Sequence, residues 1–146
     1  MIEFSTRIWI ERPRNEVFDF VSTAENNPEW NSAVKHVERV DECEVELGCR
    51  YRMLRDLPGG KVENIYEVAD FSPDRQITIR TLSGPTPFVY RYSFSEKDGG
   101  TEVKLDGELI PEGLPYKIPS FLSSRLLKRG VKSNLRTLKR IMENVA

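Results

Sequence analysis

Apolar and polar side chains alternate along Ile2-Glu3-Phe4-Ser5-Thr6-Arg7-Ile8-Trp9-Ile10, with Ile2, Phe4, Ile8 and Ile10 on one face. A period of two predicts a half-buried strand. Pro13 stands where a first helical turn begins, and Val17, Phe18, Phe20 and Val21 give that helix an apolar side. Asn26-Asn27-Pro28 breaks it, and Trp30 follows. From about Val34 the period returns to two. Turn signals punctuate it at Glu46-Leu47-Gly48, Leu57-Pro58-Gly59-Gly60, Ser72-Pro73-Asp74, Ser83-Gly84-Pro85 and Asp98-Gly99-Gly100. Each joins two alternating runs over a short span, which predicts antiparallel hairpins.

The inward faces follow from the alternation. Val62, Asn64, Tyr66 and Val68 form one set, Ile77, Ile79 and Thr81 the next, then Phe88, Tyr90, Tyr92 and Phe94, then Val103, Leu105, Gly107 and Leu109. Cys49, Tyr51, Met53 and Arg55 form the matching set on the third strand. Tight hairpins pair Met53 with Asn64 or Tyr66, Tyr66 with Ile79, Ile79 with Tyr92, and Tyr92 with Leu105. Inward residues then meet inward residues throughout, as a pleated sheet requires.

From Ser123 to Val145 the period becomes helical. Leu127, Val131, Leu135, Leu138, Ile141, Met142 and Val145 fall in one arc of roughly 120°. Arg125, Lys128, Arg129, Lys132, Arg136, Lys139 and Arg140 fall opposite. Ile118, Phe121 and Leu122 are out of phase with the apolar arc. Either the helix is interrupted near Ser123-Ser124 or the preceding segment packs on something else, and Pro119-Ser120 is a second place to start a short turn.

Length and composition fit one domain over residues 1–146, with 38% hydrophobic and 10% aromatic residues and a net charge of −1. That composition argues against disorder. No apolar run approaches the roughly 20 residues of a membrane span, and Met1-Ile2-Glu3-Phe4 lacks the features of a signal peptide. The expectation is a cytoplasmic domain. Charge is uneven: residues 117–146 carry eight Lys/Arg against one Glu, net +7, and residues 1–116 carry 14 Lys/Arg against 22 Asp/Glu, net −8. A basic helix face suits an anionic partner. It equally suits a solvated outer surface of a helix clamped to an acidic sheet. No aromatic interleaves the basic residues, so no nucleic-acid partner is expected.

The order strand, two short helices, antiparallel meander and long C-terminal helix resembles the helix-grip fold. The residues resemble the polyketide cyclase/dehydrase and lipid-transport branch of the START/Bet v 1-like (SRPBCC) superfamily. The matching features are Ile10-x-x-Pro13-x-x-x-Val17-Phe18-x-x-Val21, Pro28-x-Trp30, Gly48-x-x-Tyr51, Gly99-Gly100-Thr101-Glu102-Val103 and Leu135-x-x-Leu138-Lys139. Arg12, taken as the N-cap before Pro13, replaces a small polar residue common in the family. The resemblance implies an α+β fold in which a curved sheet of about seven strands wraps the C-terminal helix around a cavity. It implies a small hydrophobic ligand, such as a lipid, polyketide or aromatic compound; no cofactor is expected, since the residues offer no metal-ligand cluster and no phosphate-binding glycine loop. No family-wide catalytic motif carries over, so the fold licenses no reaction by itself.

Candidate ligand-binding residues are Asn64, Tyr66, Ile79, Thr81, Tyr90, Tyr92 and Gly107 on the sheet, and Phe121, Val131, Asn134 and Leu138 on the helix. They grade from apolar to polar, as a site for an apolar body with a polar end requires. Gly107 would leave room in mid-strand. Asn134 lies inside the apolar arc, where an amide needs its hydrogen bonds met. Its partner is a ligand or cavity water, or else a hydroxyl of Tyr90 or Tyr92, or backbone. Arg55 either meets a carboxylate or phosphate headgroup at the cavity mouth or, as is ordinary for arginine, extends to solvent. Ile118, Phe121 and Leu122 are candidates to line or gate the mouth.

No catalytic or metal site is read. No Asp or Glu falls on an inward strand position, and the single histidine, His36, is expected to be exposed. General acid–base chemistry and metal binding need such groups clustered. Cys43 and Cys49 flank the Gly48 turn and could face each other across a hairpin, though free thiols are the expectation in a cytosolic protein. Three functions stay open. They are carriage of a small hydrophobic molecule, a cyclase, aromatase or dehydratase that positions its substrate with tyrosine proton donors, and an interaction protein presenting the basic helix. A homodimer also stays open.

Overall fold

The strands form where the two-residue period holds, and the helices form where it fails. A computed structural model describes residues 1–57, 60–111 and 120–144, excepting the side chains of 57 and 120–123. Strand β1 (Ile2–Ile10) leads to α1 (Arg14–Ser22), a 3₁₀ turn (Ala24–Asn26) and α2 (Asn27–Trp30). Strands β2 (Val34–Arg39), β3 (Arg50–Leu57), β4 (Gly60–Ser72), β5 (Gln76–Ser83), β6 (Phe88–Lys97) and β7 (Gly100–Leu109) follow, and α3 (Ser120–Glu143) closes the order. The seven strands make one antiparallel sheet in the order β1-β7-β6-β5-β4-β3-β2. This is the helix-grip fold, with α3 packed against β1 and α2.

The registers preserve every inward-to-inward pairing, but two differ from expectation by two residues. Met53 faces Asn64 and Tyr92 faces Leu105 as the turns predict. Tyr66 faces Thr81, not Ile79, and Ile79 faces Tyr90, not Tyr92. The cause on the first side is a three-residue turn, Pro73 to Arg75, partly offset by a bulge at Ala69. A slip of two keeps each side chain on its face, because the strand period is two. In β2 a bulge between Val34 and His36 lets Val34 and Val37, three apart, both point inward, and leaves His36 exposed.

Helix α1 starts on Pro13, which serves as N-cap in place of the expected Arg12 and has no side-chain cap bond. Helix α3 runs unbroken through Ser123-Ser124, so of the two alternatives the interruption there is excluded. Ile118, Pro119 and Val145 lie outside the described residues, as do the side chains of Phe121 and Leu122. The apolar arc divides along its length. Leu135 and Leu138 are 0% exposed and Met142 is 5%, while Leu127 and Val131 are only half-buried. Lys139 leaves the basic face: its Nζ donates to the Trp9 carbonyl at 2.6 Å and to Glu143 Oε2 at 2.8 Å, and lies over the Trp9 ring.

Two cysteine and arginine expectations are corrected. Cys43 and Cys49 are joined in a disulfide that staples the β2–β3 connection. The hairpin brings their Cα atoms within 6.2 Å, inside the range a bridge requires. Arg55 does not extend to solvent. Strand alternation turns it inward, where only 6% of its surface stays exposed.

Candidate functional site

A cavity of about 310 Å³ opens between the concave sheet and the N-terminal half of α3. That is near the lower end of the roughly 300–1,000 Å³ usual for small-molecule sites. Ile79, Phe88, Leu105 and Leu109 form its floor, and Leu127 and Val131 its roof. Gly130 faces it without a side chain, and among the described residues no atom outside its own stretch of helix lies within 4 Å of where a Cβ would stand. Trp30 and the α2–β2 loop close one side. The sealing of α3 at Leu135 and Leu138, against its openness at Val131 and Leu127, explains why the space lies at this end.

Five of the expected ligand-binding residues line the cavity: Ile79, Tyr90, Tyr92, Val131 and Asn134. Asn64, Tyr66, Thr81, Gly107 and Leu138 do not reach it among the described lining residues. Asn64 is fully buried behind Arg55. Tyr66 stacks on Tyr51 and walls a separate void of about 20 Å³. Thr81 spends its hydroxyl on the Phe88 backbone, accepting from the N–H at 3.1 Å. Gly107 leaves no open space, because the Phe4 ring fills the gap; a Cβ there would meet Phe4 Cζ at 2.3 Å. Leu138 is packed solid. The Phe121 side chain lies outside the described residues.

Asn134 satisfies its amide through the loop after α2. Its Oδ1 accepts from the Ser32 N–H at 3.2 Å and its Nδ2 donates to Asn31 Oδ1 at 3.1 Å. Of the expected alternatives the backbone one is realised, through the Ser32 N–H, and no bond to a tyrosine hydroxyl forms among the described residues. The amide pins α3 to the loop at the cavity wall, which satisfies a polar group inside an apolar arc.

The polar end of the cavity was only half legible. Alternation turns Arg55 inward, yet its partners are Asn64 on β4 and the β5–β6 loop, 30 residues further along the chain at Pro85. Arg55 Nε and Nη2 both donate to Asn64 Oδ1, at 3.1 and 2.6 Å. Nη2 also donates to the Pro85 and Thr86 carbonyls at 3.1 and 3.3 Å and to the Thr86 hydroxyl. Asn64 Nδ2 in turn donates to the Ser83 and Pro85 carbonyls. The loop can approach this closely because Gly84 sits at φ +100°, with its backbone against Glu63 and Asn64. Thr86 follows at φ 48° and is buried. Left-handed backbone is unfavourable for a β-branched residue, and the Arg55 bonds hold it there.

Burial pulls the Arg55 pKa below its usual value, opposed by neighbouring Tyr90. The guanidinium remains charged at neutral pH. It lies over the Phe88 ring, 5.2 Å from the centroid, and makes no ion pair among the described residues. Burial pushes the Tyr90 pKa up to about 12, against the smaller downward pull of Arg55. Burial also raises Tyr92 and Tyr66, each reinforced by a neighbouring phenol. The cavity can therefore surround an apolar body and offer phenol hydroxyls and one fixed positive charge at one end. No group of His, Cys, Asp or Glu among the described residues could hold a metal ion.

The family model for polyketide cyclase / dehydrase and lipid transport matches residues 1–143. The chain belongs to this family. Solved structures share its fold across nearly the whole length. A START superfamily protein from Mycobacterium smegmatis superposes with a TM-score of 0.82 at 17% identity, over 99% of each chain. A protein from Deinococcus radiodurans gives 0.74 at 20% identity, over 98% of each. The di-domain ARO/CYC StfQ from the steffimycin biosynthetic pathway gives 0.76 at 14% identity, over 97% of this chain and 50% of that one. No curated protein matches in sequence. Family and fold make this a polyketide cyclase/dehydrase-type or START-type ligand-binding domain, and no described helix is long and apolar enough to cross a membrane.

Proposed function

We propose that the domain binds and carries a small, largely apolar molecule in the cavity under α3. The observation that supports this most directly is the cavity itself, apolar on floor and roof with Tyr90, Tyr92 and Arg55 at its walls. Close packing is the rule in protein interiors, so a space of this size in a domain of this family favours a bound guest. The tyrosines favour holding over turnover. Their raised pKa values make them reluctant proton donors near neutral pH, where general acids work best with a pKa close to the ambient one. Ile79, Tyr90, Tyr92, Val131 and Asn134 are the proposed contacts.

The test is recovery and competition. Native mass spectrometry of the purified protein, with thermal shift against fatty acids, sterols and fused aromatics, should identify a binder. Gly130→Leu should then abolish its binding without lowering the melting temperature, because the added side chain enters the open space. No binder in either assay, or undiminished binding to Gly130→Leu, would sink the proposal.

A further inference from the structure

Arg55 is more than a strut for the β5–β6 loop. Its contacts are all with neutral acceptors: one amide oxygen, two carbonyls and a hydroxyl. These bonds use Nε and Nη2. Nη1 makes no hydrogen bond among the described residues, and it is not sealed among the buried atoms that lack partners. Arg55 lines the cavity. A guanidinium taken out of water without a counter-charge is costly, and an apolar side chain would pack there without that cost.

We propose that the cavity takes an apolar monocarboxylic acid, whose carboxylate pairs with Nη1 of Arg55 beside the Tyr90 hydroxyl. The inference rests on the cavity being a ligand site. Three observations choose a carboxylate. A neutral ligand would leave the guanidinium without a counter-charge. No other Lys or Arg is among the described lining residues, so the site offers one positive charge, which suits a monoanion better than a phosphate dianion. The arginine is also held in place before binding. Asn64 fixes its Nε–Nη2 edge, Phe88 supports its face, and the loop carbonyls anchor it from the other side. A preorganised donor spends little ordering free energy when its partner arrives, and a charge-assisted hydrogen bond in a dry site is among the stronger polar contacts. Tyr90 and Tyr92 line the same space and their hydroxyls have no hydrogen-bond partner among the described residues, so either can donate to a carboxylate oxygen.

Matched acids and primary amides test this, because they share an apolar body and differ in charge. The probes are naphthaleneacetate with naphthaleneacetamide, and decanoate with decanamide, titrated by calorimetry. The wild-type protein should bind an acid roughly tenfold or more tightly than its amide. Arg55→Met should remove that preference, lowering acid affinity roughly tenfold more than amide affinity, and Arg55→Lys should retain part of it. Equal binding of acid and amide by the wild-type protein overturns the carboxylate assignment and leaves the carrier reading intact. Binding of no probe overturns the carboxylate assignment, and the carrier reading falls with it only if the mass-spectrometric and thermal-shift searches also find no binder. The wild-type comparison decides the matter even if Arg55→Met fails to fold.

Discussion

Gly107 shows how far a single position can be read. Alternation puts it on the inward face of β7, and a missing side chain in mid-strand suggests room for a guest. The room exists, but Phe4 from β1 occupies it, with Tyr90 on the other side. Gly107→Ala would place a Cβ 2.3 Å from Phe4 Cζ and 2.9 Å from Tyr90 Cδ1. Overpacking of this kind costs about 1–3 kcal/mol. Urea unfolding should show a loss in that range, whereas an unchanged midpoint would mean that Phe4 yields freely. Arg55 and Asn64 teach the same lesson in the polar case. Their parity, both inward, is legible from the strands. Their mutual bond is not, because the loop that locks them is set by Gly84 and Thr86 backbone angles.

At the scale of elements, α3 has two different halves under one helical pattern. Its apolar arc runs evenly from Leu127 to Met142, yet Leu135 and Leu138 are sealed while Leu127 and Val131 border open space. A helical wheel reports direction, not what lies opposite. Gly130 is a weak point in this element, since glycine in a helix interior costs about 1 kcal/mol relative to alanine. Its Cβ position is open, so Gly130→Ala should stabilise the protein by up to about 1 kcal/mol in a denaturant melt. A loss of stability would show that the space is already filled. The β2–β3 connection adds a second example. Cys43 and Cys49 were legible as neighbours across a turn, but only the hairpin geometry joins them. Their bond bears on compartment, because disulfides persist mainly in oxidising surroundings.

For the whole molecule, the buried tyrosines predict a response to alkali. Burial raises the pKa of Tyr51, Tyr66, Tyr90 and Tyr92 above the ordinary value of 10.0, Tyr90 to about 12. Below pH 10 the folded and unfolded chains both keep these protons, so this contribution is at its full value. Above it the unfolded chain releases them first and is favoured, so stability falls as pH rises towards 12 and beyond. Denaturant melts through that window should lose stability with pH, in step with tyrosinate absorbance appearing on unfolding. A flat profile would mean that the phenols are already open to water.

The amino-acid sequence by itself determined the element order, the inward faces of β1 and of β3 to β7 and the amphipathic closing helix, because those depend on periods of two and of 3.6 residues that the chain carries locally. It also carried the family resemblance that the match over residues 1–143 supports. Tertiary structure alone decided the two-residue slips of register, the disulfide, the plugging of Gly107 by Phe4, and the burial of Arg55 under the Gly84–Thr86 loop. Each of those depends on which distant groups arrive at the same place, and on how much space they leave.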